Sequence, residues 1–108
     1  MNKVFKIILV SLLSYSVFGQ NITIKGKVMN QNGDFLEYVN IQDTNSGNGI
    51  ISSNTGEFEL VLPKRDNYSI IFTHILYDEY ELNLDYKTIE SKLSTENILF
   101  KNIVLIEK

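Results

Sequence analysis

The sequence has no cysteine, one histidine and one proline among its 108 residues. The missing cysteine excludes a disulfide framework, thiolate metal sites and a thiol nucleophile. It also excludes the lipid-modified cysteine of a bacterial lipoprotein. A lone histidine, His74, cannot supply the two-histidine motif of a zinc peptidase. Ser46, Ser52, Ser53 and Ser69 lie in turn or strand contexts, and none sits in a Gly-x-Ser-x-Gly elbow. A general base needs an orienting partner and a nucleophile nearby, and His74 has neither in the sequence pattern. No catalytic, cofactor-binding or metal residue is therefore assigned, and an enzyme is not expected. Long amphipathic helical patterns are lacking too, as is any low-complexity segment or internal repeat.

What is present begins with a basic segment, Met1 to Lys6, followed by the apolar run Ile7 to Leu13. The run is shorter than the ~20 residues of a membrane span. It closes on Val17-Phe18-Gly19, with slim residues one and three positions before Gln20. This is the pattern of a cleaved signal peptide over residues 1–19, so export is expected. The remaining 89 of the 108 residues, 20–108, are expected to form one domain without a membrane span. Loss of Lys3 and Lys6 leaves 8 basic against 13 acidic side chains, a net charge near −5. Such a surface repels phosphate backbones, so nucleic acid is not an expected partner.

The rest reads as short strands between turns. Ile22 to Val28 alternates apolar and polar residues, as a half-buried strand does. Asn30 to Asp34 is a turn, with Asn32-Gly33 suited to φ > 0 and to a hairpin. Further strands are expected at Phe35–Thr44, Ile50–Ser53, Glu57–Leu62, Tyr68–Ile75, Glu79–Tyr86 and Leu99–Ile106. Asn45 to Gly49 and Asn54-Thr55-Gly56 are turns, and Pro63 ends its strand because it cannot donate to a ladder. Lys87 to Asn97 fits either a helical turn or two, from Ile89 and Leu93, or a polar loop. Seven short strands at this spacing predict an all-β sandwich of the immunoglobulin-like or transthyretin-like kind.

The order of these signals resembles the carboxypeptidase regulatory-like domain, a transthyretin-like sandwich of exported Bacteroidetes proteins. The resemblance runs from Ile24 to Leu84 and rests on Gly26, Gly33, Gly49, Gly56, Phe58, Pro63, Phe72 and Tyr77. Leu36 to Ile41 matches the family's second strand, and Gly49 to Leu60 its "G-T-x-T-D-x-x-G-x-F-x-L" stretch. The sequence departs from the family at Ser52-Ser53, where Thr-Asp is usual, at Glu37-Tyr38, and at Leu76, where glycine is usual. A bulky Leu76 does not enter φ > 0 easily, so a different turn is expected there. The shared residues imply folding devices: Gly33 and Gly56 for turns, Val39, Ile41, Phe58 and Phe72 for the core, Tyr77 for its edge. In this family the domain often stands at the N-terminus of TonB-dependent outer-membrane receptors. The resemblance thus implies a module for protein interaction or structural support in the periplasm or at the outer membrane or cell surface, with an envelope protein as partner.

Two further features carry candidate chemistry. Asp78, Glu79 and Glu81 offer oxygens for calcium, as do Asn30, Asn32 and Asp34, but a solvated strand edge and a plain turn explain them with fewer assumptions. Tyr38, Tyr68, Tyr77, Tyr80 and Tyr86 could stack on sugars if they shared one face, which makes a glycan the alternative partner.

Overall fold

The computed structural model describes residues 20–108. The expected signal peptide, 1–19, lies outside the described residues. Eight strands form two open sheets: β1 (Asn21–Asn30), β2 (Asn40–Asp43), β3 (Gly49–Ile51), β4 (Glu57–Pro63), β5 (Asn67–His74), β6 (Tyr77–Asp85), β7 (Ile98–Phe100) and β8 (Ile103–Leu105). In the first sheet β1 is central. It pairs antiparallel with β4 on one side and parallel with β7 and β8 on the other. The second sheet runs β3-β2-β5-β6, all antiparallel. This is an all-β sandwich.

The alternation read from the sequence decides which side chains meet between the sheets. Ile22, Ile24 and Val28 of β1 and Phe58, Leu60 and Leu62 of β4 point inward. They face Ile41, Ile70, Phe72 and Leu82 of the second sheet, and all are buried. Phe58 and Phe72 meet edge to face across the gap, with ring centroids 5.5 Å apart at 77°. That geometry brings a ring's positive edge against a negative face. The core is closed below by Ile89 and, on the far edge of β1, by Leu99, Ile103 and Leu105.

Two strand expectations are corrected. The last expected strand, Leu99–Ile106, is two strands, which raises the count from seven to eight. Both keep one register on β1, Lys25 opposite Phe100 and Val28 opposite Ile103. Between them the ladder is replaced by Lys101 N–H donating to the Lys25 carbonyl and Lys27 N–H donating to Asn102 Oδ1. The expected strand Phe35–Thr44 begins only at Asn40. Phe35 makes a single bridge to Met29, and Tyr38 takes φ 62°, which no strand tolerates. Asn32-Gly33 does close a hairpin, with Asn30 N–H donating to the Asp34 carbonyl and Met29 bridged to Phe35, but a short one, because the chain then leaves the first sheet to enter the second. The open segment after β6 is a short helix, α1 (Tyr86–Ile89), capped by Asp85, followed by a 3₁₀ turn at Glu90–Lys92. Ile89 anchors it to the core.

Candidate functional site

The eight motif residues are spread through the fold and do not converge on a cleft. Gly33 (φ 86°) and Gly56 (φ 76°) occupy the left-handed region where glycine is strain-free. Gly26 is needed for another reason. A Cβ there would overlap the carbonyl of Lys101, at the crossing between β7 and β8. At Gly49 a Cβ would stand 3.1 Å from the Ile41 carbonyl oxygen. Pro63 ends β4, and its carbonyl accepts from the Tyr68 hydroxyl at 3.1 Å. Tyr77 is half-buried at the core edge, its ring against His74 at 5.2 Å, and its backbone bridges to Glu107.

The family departures have local explanations. Ser52 is buried, accepts from Val39 N–H at 2.9 Å and donates to the Leu36 carbonyl at 2.8 Å. It holds the chain where it passes from one sheet to the other. Ser53 Oγ accepts from the amides of Thr55 and Glu57, the task an aspartate performs in such a turn. At Leu76 the β5–β6 hairpin turns through exposed Ile75 and Leu76 with a bulge between Phe72 and His74. Leu76 is not among the described residues at positive φ. His74 Nδ1 accepts from Leu76 N–H at 3.1 Å, so the histidine closes this turn.

The candidate ligand groups do not assemble. Asp78, Glu79 and Glu81 are exposed along β6, and Glu81 accepts from Ser69 Oγ at 2.9 Å. Asn30 Oδ1 is taken by the amides of Asn32 and Asp34 within the turn. Among the described residues, no three His, Cys, Asp or Glu side chains gather as a metal set. The tyrosines do not share a face. Tyr68 is buried, Tyr80 leans on Phe72 at 6.0 Å, Tyr86 lies under the Lys64 ammonium, and Tyr38 alone is more than half exposed.

One cluster was not visible in the sequence. Asp43, on the inner side of β2, is fully buried, and Arg65 from the β4–β5 loop reaches it with Nη2 3.0 Å from Oδ2. Arg65 also lies 4.8 Å over the Tyr68 ring, and its amide donates to the Tyr68 hydroxyl at 2.7 Å. Ser46 donates to Asp43 Oδ2 from its hydroxyl at 2.7 Å. Burial alone would raise the Asp43 pKa, but the Ser46 and Arg65 interactions together outweigh it and hold the carboxyl below its usual value. Burial pushes the Tyr68 phenol up. Asp43 Oδ1 has no protein hydrogen-bond partner. The arrangement ties β2 to the β4–β5 loop, and the hydroxyls of Ser46 and Tyr68 are hydrogen-bonded within it. A charged loop and a strand residue 22 positions apart gave no sequence signal that they meet.

The remaining candidate is the outer face of the first sheet. Strand alternation puts Lys25, Lys27 and Met29 of β1, Glu57, Glu59 and Val61 of β4, and Phe100 and Val104 of β7 and β8 on this one side. Phe100 is 67% and Phe35 49% exposed, and they line a shallow groove of about 590 Å³ with Met29 and the two lysines. The Lys27 ammonium rests 4.7 Å from the Phe35 ring centre. The outer face of the second sheet differs. It carries Asn40, Gln42, Ser69, Thr73, Glu81 and Asn83, with Ile51 and Ile71 among them, so it is mostly polar.

A two-sheet sandwich with its motif glycines in turns and crossings defines the class of small immunoglobulin-like β modules. The family described as CarboxypepD_reg-like domain matches residues 24–105, and the chain belongs to that family. No curated protein matches the sequence. Among solved structures, the fold is similar to the crystal structure of 3-chlorocatechol 1,2-dioxygenase from Rhodococcus opacus 1CP, with a TM-score of 0.60 and 12% identity. The match covers 83% of this chain and 60% of that one, so this chain spans less than two thirds of its neighbour. At that identity the likeness is one of fold. Among the described residues no helix is long and apolar enough to cross a membrane.

Proposed function

We propose that the chain is a non-catalytic, exported β-sandwich module that makes protein contacts, or gives structural support, in the cell envelope. One observation carries this reading. The side chains that could do chemistry are occupied in folding: His74 closes a hairpin, Ser52 and Ser53 hold crossings and turns, and the buried Asp43 pairs with Arg65. The residues left facing outward are those of a contact surface. The basic-then-apolar opening of the sequence supports export to the periplasm or the cell surface. The family resemblance supports association with TonB-dependent uptake at the outer membrane.

The test has two arms. Mass spectrometry of the exported protein should find Gln20 as its first residue. Crosslinking in intact cells should join it to an envelope protein, and Phe35→Ala/Phe100→Ala should reduce that product. An uncleaved chain retained in the cytosol would overturn the export reading. Hydrolytic turnover by the purified protein that disappears in His74→Ala would overturn the non-catalytic one.

A further inference from the structure

On the outer face of the first sheet the charges form two columns. Lys25 and Lys27 stand on β1, and Glu59 and Glu57 stand directly opposite them on β4. Among the described residues the only ion pair is Arg65 with Asp43, so none of these four charges is paired within the chain. Apolar side chains flank the columns. Val61 and Ile98 lie in the row on one side, and Phe35, Met29 and Val104 lie in the row on the other. Four of the large exposed apolar residues, Phe35, Val61, Phe100 and Val104, are on this face. Opposite charges standing across the β1–β4 seam, with large exposed apolar side chains in the rows beside them, make a face of ordered charge pattern that is larger in apolar content than a scatter of single exposed residues.

The charge columns also say what covers it. An isologous contact needs a surface complementary to itself under a two-fold rotation. Consider an axis parallel to the strands, between two facing sheets and over the seam between β1 and β4. Rotation about it sets β1 of each copy over β4 of the other. Lys25 then meets Glu59 of the second copy, and Lys27 meets Glu57 of the second copy, each pair twice. In the flanking rows Val61 meets Thr23 of the second copy and Phe35 meets Met29 of the second copy, and Phe100 of each copy overhangs the free edge of β4 in the other. An axis running across the strands would instead stack lysine on lysine and glutamate on glutamate, which is repulsive. We propose that this face binds a second copy of this chain, sheet to sheet, through the Lys25–Glu59 and Lys27–Glu57 columns. The proposal rests on the reading of the chain as a protein-contact module and names one of its partners.

The contact is small. Two overlapping strand columns at ~4.8 Å and seven to nine rows at ~3.3 Å give a plan area of roughly 250 Å² per copy, to which the overhanging Phe100 side chains add. That is below the ~800 Å² per partner of a standard interface, so the dimer is expected at roughly 10–1,000 µM. Sedimentation velocity of the purified protein over that range is the measurement. The wild type should dimerise. Lys25→Glu/Lys27→Glu and Glu57→Lys/Glu59→Lys should each weaken the dimer by about tenfold or more, while an equimolar mixture of the two should associate at least as tightly as the wild type. Circular dichroism should show both variants folded, since all four side chains point outward. A wild type that stays monomeric at about 1 mM, or a dimer indifferent to both charge reversals, would overturn the proposal. Neither result would touch the crosslinking to an envelope protein, which tests the broader reading separately.

Discussion

Replacing Arg65 by methionine removes the partner of a carboxylate that has no access to water. Asp43 is 0% exposed and the Arg65 side chain 20% exposed, so solvent screens their attraction only on the arginine's side. Breaking a buried pair by removing one member costs about 3–5 kcal/mol, because the remaining charge stays desolvated. Partial exposure of Arg65 and the surviving hydrogen bonds from Ser46 place the expected loss at the low end, near 3 kcal/mol. A domain of this size has a total stability of roughly 5–12 kcal/mol, so the loss is a large share of it. The pH dependence identifies the cause. In the wild type the folded-state pKa of Asp43 is depressed, so its contribution is present above the unfolded value near 4 and is lost as pH falls below it. Without Arg65, burial is opposed by Ser46 alone, so the Asp43 pKa rises relative to the wild type and the folded variant takes up its proton at higher pH than the folded wild type does. The difference between wild type and Arg65→Met, measured by urea unfolding, should therefore be largest at pH 7 and shrink at pH 3. A difference below about 0.5 kcal/mol at pH 7, or one of equal size at both pH values, would refute the reasoning.

Two further outcomes probe the crossing points of the fold. Gly26→Ala should cost more than about 2 kcal/mol by thermal or urea unfolding, since its Cβ meets the rigid Lys101 backbone, whereas Gly33→Ala, with open space around it but φ 86°, should cost about 1 kcal/mol. Ser52→Ala should cost about 1–3 kcal/mol and speed hydrogen exchange at the Val39 amide, because that buried N–H loses its acceptor.

The parts of the fold that were legible in the sequence are those governed by neighbours along the chain. Period-two alternation marks β1, β4 and β6, because each strand has one face in the core, and the β-branched and aromatic content of Tyr68–Ile75 marks β5. Gly33 and Gly56 were legible because a turn is a local event. Gly26 was legible as a motif position but not as a mechanism, because the carbonyl that forbids a side chain there comes from Lys101, 75 residues later. The break between β7 and β8 hides for the same reason, since Leu99 to Ile106 reads as one strand across Lys101-Asn102 until it is laid along β1. Phe35 falls in the strand that the alternation of Val39 and Ile41 with Asn40 and Gln42 marks, a pattern that cannot see that the chain must leave one sheet for the other at Tyr38. Asp43 alternates correctly with Ile41, but that it is buried depends on Arg65 arriving from another loop.

The same alternation bears on how such a module can carry a function. Along β1, Ile22, Ile24 and Val28 belong to the core, while Lys25, Lys27 and Met29, interleaved with them, face outward. Along β4, Phe58, Leu60 and Leu62 are buried between Glu57, Glu59 and Val61. Folding and recognition thus use alternate positions of the same two strands, and they are separated by the thickness of a sheet. A change at an outward position alters which surface is offered and leaves the Phe58–Phe72 contact and the Arg65–Asp43 tether in place. Outward substitutions away from turns and crossings should therefore shift stability by no more than about 0.5 kcal/mol. Their effect on binding is free to be much larger, because a contact of a few hundred Å² depends on a handful of side chains. The motif glycines and core aromatics hold the two sheets together in this geometry, and the residues that decide what the module touches lie one position away from them.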